Sequence, residues 1–395
     1  MSTLRPVLFW LHLAAGTVCG LVIALLCLTG TALAFEKELI AWAERDARQV
    51  AAPAPGTPRL GVDELATRLR ATFPGAKPGN IVVSRDPLTA VAFPVSRTEG
   101  YHANPYTGEV RQPASFAMGR FMQRMFELHR YLGLSGESRP HGRLATGIAN
   151  LSFGFLAVSG LMLWWPRSLS WRAFRPGIWF TQNATGRARD WNWHNTVGFW
   201  CAPVLILLTL TALPISFRWA AELTYTLTGT PLPASGPQSS GAPPPAATVP
   251  APAADARAVV RDTLLTAVQR ELPAWRTITF RFAHHPDATR PQPAGFTMHA
   301  AGTWPRTATT TLQYDPFTGA LLQRDGYEGL SAARKVRAWS RYLHTGEALG
   351  GLAQFIAAVA SLGGCVLVYT GFALAWRRFF GRMKNHSDVE PSALG

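Results

Sequence analysis

Charge is scarce in this chain, and acid scarcer than base: 15% of the 395 residues are Asp, Glu, Lys or Arg, with 23 acids against 38 Lys and Arg. Together with 48% hydrophobic residues, that scarcity excludes an ordinary soluble protein, while the polar stretches between the apolar runs exclude a chain made only of membrane helices. Cysteine is equally sparse. Cys19, Cys27, Cys201 and Cys365 all fall inside apolar runs, so no disulfide framework is implied and the polar parts must fold without one. A G-x-G-x-x-G run is missing, and no nucleophile and base stand in hydrolytic arrangement. What the chain has instead is four apolar stretches, at 8–35, 144–166, 194–217 and 351–376, each able to cross a bilayer core that needs about 20 helical residues.

The basic residues cluster beside these stretches. Arg5 precedes the first, Arg167, Arg172, Arg175, Arg187 and Arg189 lie between the second and third, and Arg377, Arg378, Arg382 and Lys384 follow the fourth. Positive residues mark cytoplasmic loops, so both termini and the 167–192 loop are expected in the cytoplasm. The segments 37–125 and 219–335 then lie on the far side, the periplasm of a bacterial inner membrane. A net charge of +15 is on this reading mostly topology, and nucleic acid is not expected as a partner. Thr31-Ala32-Leu33-Ala34 before Phe35 resembles a signal-peptidase site, but the apolar run is longer than a signal core, and a retained helix is expected.

The first and third apolar stretches align without a gap when His12 is set on His194. Gly16 and Gly198 follow four residues later, Cys19 and Cys201 seven, Thr29 and Thr211 seventeen, and Phe35 and Phe217 twenty-three. The polar segments are paired too. Residues 60–112 read as an amphipathic helix, the strand NIVVS, strands around TAVAFPV and a closing YHANPYTGEVR; residues 255–324 read as a helix, the strands WRTITFRF and AGFTMHA, and a closing LQYDPFTGALLQR. The repeated Asn104-Pro105-Tyr106-Thr107-Gly108 and Asp315-Pro316-Phe317-Thr318-Gly319 are tight-turn chemistry, with Asx to cap, Pro to fix φ and Gly to take positive φ, and need no site to explain them. A histidine in a membrane helix is costly unless it binds something, though hydrogen bonding to a neighbouring helix is the bland alternative for any one of them.

Two modules that each end in a D/N-P-x-T-G turn, each flanked by membrane helices with a leading histidine, resemble the PepSY-associated transmembrane family. Members of that family resemble haem-containing inner-membrane reductases of ferric siderophores. The likeness runs from Arg5 to Arg378, and the family's histidine ahead of the second and fourth helices is matched in FELHRYLG by His129 and in RYLHTG by His344. The implied fold is a membrane protein: a four-transmembrane-helix bundle built from two parallel repeats, with two small α+β PepSY-like periplasmic modules. Its parts are helix 1 at 1–36, module 1 at 37–125, a ligand segment and helix 2 at 126–166, the loop at 167–192, helix 3 at 193–218, module 2 at 219–335 with a disordered linker at 230–254, a ligand segment and helix 4 at 336–378, and a cytoplasmic tail at 379–395.

In that arrangement His12 pairs with His194 near the cytoplasmic face and His129 with His344 near the periplasmic face. Each pair would hold one of two haem b groups, bound without the covalent attachment that a C-x-x-C-H motif would indicate. His141 is the alternative to His129. Gly16, Gly20, Gly198, Gly133 and Gly346 are read as giving a flat macrocycle room or, equally, as helix packing. Arg130, Arg334, Arg337 and Arg341, with Arg120, Arg124 and Lys335, concentrate positive charge ahead of the periplasmic histidines, where haem propionates, an anionic ferric complex or lipid phosphates are the candidate contacts. The implied activity is a ferric-siderophore reductase, fed by a protein, a quinol or a diffusible reductant and delivering electrons to a periplasmic acceptor. Two alternatives stay open: a haem-free membrane sensor or partner-binding protein, and a haem protein serving another periplasmic oxidant or a methionine-repair partner. His102, His284, His285, His299 and His386 are read as ordinary polar residues. A single straight helix carrying His344 would place the two sites far apart, but Gly346, Gly350 and Gly351, like Gly133, Gly136 and Pro140, are expected to break the ligand segments from their spans.

Overall fold

A computed structural model describes residues 4–166, 168, 170–237, 245–252, 256–281 and 291–380. Arg167, His284, His285, Arg382, Lys384 and His386 lie outside the described residues, as do 238–244 and 253–255 of the Pro-rich stretch. The chain separates into two compact units, one made of 1–35, 124–227 and 339–395, the other of 36–123 and 228–338.

The first unit is a bundle of four helices long and apolar enough to cross a membrane: span 1 (Leu4–Leu33), span 2 (Arg139–Trp164), span 3 (Gly186–Ser216) and span 4 (Gly351–Phe380). A backbone without water must close its hydrogen bonds internally, which is why these runs are helical. A 30-residue helix is about 45 Å long against a hydrocarbon core of about 30 Å, so helix ends project beyond it. Spans 1 and 3 each pack on spans 2 and 4 and face one another across the ring. The usual soluble pattern is inverted: Val18, Leu21, Leu352 and Trp376 are exposed outward, while small residues fill the contacts. A Cβ on Gly364 would meet Cys27 Sγ, and one on Gly147 would meet the Phe217 ring.

Span 3 starts eight residues ahead of the apolar run that announced it, at Gly186 rather than 194. Its first turns carry Arg187, Arg189 and Asp190, which lower hydropathy without opposing helix. The carboxylate of Asp190, 1% exposed, is paired with Arg189 at 2.9 Å and with Arg377 of span 4 at 2.8 Å. The 167–192 segment is correspondingly not all loop. Trp171–Ile178 is a short helix, and Asn192 Nδ2 donates to Pro176 O and Trp179 O at 2.8 and 3.0 Å.

Both ligand segments are broken from their spans. The Ala117–Tyr131 helix ends in Leu132 at φ 53° and Gly133 at φ 74°, and the Ala332–His344 helix is followed by Gly346 at φ 76° and Gly350 at φ 87°. These left-handed positions turn the chain before it re-enters the bundle as span 2 or span 4.

The second unit differs from the two separate modules expected. It is one eight-stranded antiparallel sheet of β1 (Asn80–Ser84), β2 (Val91–Pro94), β3 (Gly100–Ala103), β4 (Val110–Arg111), β5 (Trp275–Arg281), β6 (Ala294–Ala300), β7 (Thr310–Tyr314) and β8 (Leu321–Asp325), in the order β4-β3-β2-β1-β5-β6-β7-β8. The join is β1 with β5, from Asn80 opposite Arg281 to Ser84 opposite Thr277. Each half alone would leave an unpaired edge, and pairing the edges merges the two apolar faces into one core that includes Phe93, Ile81, Ile278 and Leu312. The two covering helices, Val62–Thr72 and Arg261–Glu271, cap each other. Asp262 accepts hydrogen bonds from Val62 N at 2.6 Å and Asp63 N at 3.3 Å, and Asp63 accepts one from Arg261 N at 3.1 Å. Both expected turns form: Asn104 Oδ1 accepts from Tyr106 N and Asp315 Oδ1 from Phe317 N, with Gly108 and Gly319 both at φ 74°. The stretch expected as a free linker is pinned where it is described, since Gln313 bonds Ala247 N and Pro245 O at 2.7 and 2.9 Å and Val249 is buried.

Candidate functional site

Four of the described histidines meet in two pairs inside the bundle. His12 and His194 each lie eight residues into their helices, Leu4 to His12 and Gly186 to His194, and face each other across the ring with centroids 6.4 Å apart. At the other end, His129 and His344 approach with centroids 6.3 Å apart from the helices that precede spans 2 and 4. His129 is bonded to Thr29 and His344 to Leu208, which fixes their depth. From His12 to Thr29, and from His194 to Leu208, is about 20–25 Å of helix at 1.5 Å per residue. The broken ligand segments thus bring the sites much closer than one straight helix would.

Each imidazole uses the same nitrogen to reach the protein. His12 Nδ1 bonds Ser159 Oγ at 2.8 Å, His129 Nδ1 bonds Thr29 Oγ1 at 2.9 Å, His194 Nδ1 bonds Thr370 Oγ1 at 2.9 Å, and His344 Nδ1 bonds Leu208 O at 2.9 Å. The tautomer follows from the partners. A carbonyl only accepts, and the hydroxyls of Thr29, Thr370 and Ser159 donate to Leu25 O, Val366 O and Leu156 O of their own helices. Their remaining lone pairs accept from Nδ1–H, which leaves the lone pair of every ring on Nε2.

The spacing fits a metal ion between the rings. A metal to imidazole bond is about 2.0 Å and the ring centre lies about 1.1 Å behind its nitrogen, so two imidazoles in line on one ion would have centroids about 6.2 Å apart. Among the described residues no group of three or more His, Cys, Asp or Glu is placed to hold a metal ion, so each pair offers two donors and no more.

Glycine lets the rings sit this close to neighbouring helices. A Cβ on Gly30 would lie 3.3 Å from His129 Cε1, one on Gly160 3.4 Å from His12 Cε1, and one on Gly371 3.5 Å from His194 Cε1. Thr29-Gly30, Ser159-Gly160 and Thr370-Gly371 therefore form a recurring hydroxyl-glycine dipeptide, which sequence reasoning missed although it can be read in each of spans 1, 2 and 4; span 2 carries a second copy, Thr146-Gly147, whose glycine packs on Phe217 instead of a histidine. Span 3 carries Thr211-Ala212 at the matching place, and His344 turns to the Leu208 carbonyl instead. Of the other glycines singled out in the sequence, Gly16 and Gly198 lie one turn from His12 and His194, a Cβ on Gly16, Gly20 or Gly198 would meet Leu156, Phe372 or Leu367, and Gly133 and Gly346 serve the chain reversals.

His141, the alternative to His129, is exposed on the first turn of span 2. His102 is buried on β3 and His299 lies on β6, both in the other unit. Of the arginines, Arg130 Nη2 donates to Ile215 O at 2.7 Å and Arg341 lies 5.6 Å from the Tyr342 ring. Arg334 and Arg337 belong to the sheet-bearing unit, where the Arg334 backbone N–H donates to Ser331 Oγ at 3.4 Å.

No curated protein matches the chain. Residues 9–378 match the family described as the PepSY-associated TM region. That match covers nearly all of the four spans and the intervening sheet, and the chain is a multi-pass membrane protein of the PepSY-associated transmembrane family.

Proposed function

We propose that each histidine pair holds one haem b, two per chain, and that the protein passes electrons from the cytoplasmic side of a bacterial inner membrane to a ferric siderophore in the periplasm, releasing Fe(II). The observation that carries this reading is the spacing of the two imidazole pairs, 6.4 and 6.3 Å, with every Nδ1 engaged by protein. With two imidazole donors per site, His12 and His194 or His129 and His344 would hold a metal that brings the rest of its ligands with it, as haem does. When bound, haem supplies a reversible one-electron couple. The chain's residues do the rest: Ser159, Thr29, Thr370 and Leu208 orient the rings, Gly30, Gly160 and Gly371 admit them, and the apolar bundle keeps water away. One electron per ferric ion weakens the complex, because hard oxygen donors hold Fe(III) better than Fe(II). The electron source in this reading is a quinol, a partner protein or a diffusible reductant.

The same reading treats the chain as two parallel repeats, each a span, half of the sheet-bearing unit as a PepSY-like module, a ligand segment and a second span. It is supported by the matched order of strands about the β1–β5 join and by the reciprocal caps of Asp63 and Asp262.

The test is an absorbance spectrum of the purified protein, oxidised and dithionite-reduced, with a pyridine haemochrome count. Two haem b per chain are expected; His12→Ala is expected to lose one and keep the other, and reduced protein is expected to be reoxidised by added ferric siderophore. Protein expressed with ample haem that carries none would overturn the reading and favour a haem-free partner-binding protein.

A further inference from the structure

Three guanidiniums gather at the bundle end that carries His129 and His344. Arg130 Nη2 donates to Ile215 O at 2.7 Å, and Arg143 donates from Nε to Ser216 O at 3.1 Å and from Nη2 to Ile215 O at 3.2 Å. Arg139 lies over the Tyr131 ring, 4.0 Å from its centroid. The assembly is built rather than loose. Gly142 has no Cβ to strike the Tyr131 carbonyl, so the start of span 2 lies against the end of the Ala117–Tyr131 helix, and Thr146 Oγ1 donates to Arg130 O at 3.2 Å.

The charge of this cluster is not balanced. Ile215 O and Ser216 O belong to the last turn of span 3, and a helix end carries only about half a negative charge, against three positive ones. Among the described residues neither Arg130, Arg139 nor Arg143 forms an ion pair. Glu127 and Glu222 are paired with Arg124 and Arg218, at 3.1 and 2.7 Å, and Glu137 on the turn before Arg139 makes no ion pair. Capping one helix needs one guanidinium, and Arg139 caps nothing. Stacked on an aromatic face, a guanidinium turns its edge of N–H donors outward, the fork that takes a carboxylate two-pronged. Arg139 and Arg143 are exposed, and Arg130 is the residue after His129.

We propose that Arg130, Arg139 and Arg143 form a binding site for carboxylate-bearing anions, through which the protein selects anionic ferric chelates over neutral or cationic ones. Its functional meaning rests on the electron-transfer reading, but the binding itself does not. Redox-inert gallium(III) citrate is therefore the probe, titrated into the full chain in non-ionic detergent, with a cationic gallium trihydroxamate as comparison. Citrate complex binding is expected to weaken about tenfold or more for each of Arg139→Gln and Arg143→Gln, as for loss of a charged hydrogen bond, and to be only partly kept in the lysine variants, which hold the charge but not the two-pronged fork. Binding is also expected to weaken as salt rises, whereas the trihydroxamate should respond to neither change. Three outcomes overturn the proposal: equal weakening for both chelates, no citrate binding by the unaltered protein, or unchanged citrate binding in variants that instead lose haem, which would assign the cluster to propionates. Loss of citrate binding on adding anionic lipid, without recovery at higher citrate, would assign it to lipid phosphate and overturn it too. A chain that binds the citrate complex as described but carries no haem would refute the electron-transfer reading alone.

Discussion

For three of the four paired histidines a hydroxyl on a neighbouring helix decides which ring nitrogen is free, and for His344 a backbone carbonyl does. Thr370, fully buried, gives its proton to Val366 O and takes one from His194 Nδ1. Thr370→Val keeps the shape and removes the acceptor, and on the proposed haem reading affinity at that pair is expected to fall by about 10–100-fold, as for other outer-shell ligand partners. Thr370→Ser should restore it; haem titration of the apo-protein decides, and undiminished affinity in the valine variant would sink the orienting role. The histidines themselves were legible in the sequence, because a costly polar residue repeated in register announces itself. Ser159 and Thr370 were not, since Thr and Ser in a helix satisfy themselves on their own backbone and only tertiary packing turns them to a ring. A second residue speaks for the sheet. Burial, ahead of the Arg48 charge, pushes His102 down to about 4 from an ordinary 6.5. The folded state then binds fewer protons than the unfolded one between those values, so stability is full above pH 6.5 and is lost as pH falls towards 4, by on the order of 2–3 kcal/mol. Urea unfolding of the sheet-bearing unit in the full chain should show that slope and lose most of it in His102→Gln.

The elements that carry the ligands depend on their ends. Gly346 holds φ 76°, and a Cβ there would lie 2.8 Å from the Gln354 Cα of span 4. Gly346→Ala is therefore expected to cost at least about 1–2 kcal/mol and to displace His344, which on the proposed haem reading gives one haem per chain in place of two while the His12–His194 site stays intact. A haemochrome count reads the result directly. The reversal was legible from glycine spacing, but the start of span 3 was not: hydropathy discounts Arg187, Arg189 and Asp190, and only the ion pair to Arg377, 187 residues further on, shows why a charged turn continues the helix. The covering helices make a sharper case. Asp63→Ala and Asp262→Ala should each cost about 0.5–2 kcal/mol as lost caps. Because each aspartate starts the other's helix, the double variant should depart from the sum by about 0.5 kcal/mol or more, measured by urea titration. Strict additivity would mean that the two caps act independently.

At the scale of the whole chain, the turns and most strands could be read locally, because Asn104, Asp315, Gly108 and Gly319 carry their own instructions. That β1 would find β5 could not: both strands are short, each half reads as a complete small module, and the pairing joins residues from two segments separated by two spans. The same join gives the protein a schedule. β1 leaves the ribosome about 190 residues ahead of its partner, on the order of 10–40 s at ordinary rates of synthesis, and spans 2 and 3 must enter the membrane in the interval. Throughout that time the first half of the sheet offers a bare edge and a helix whose capping carboxylate has not yet been made. Its company during assembly, whether a holding chaperone or another nascent chain, bears on how much of this protein a cell can accumulate.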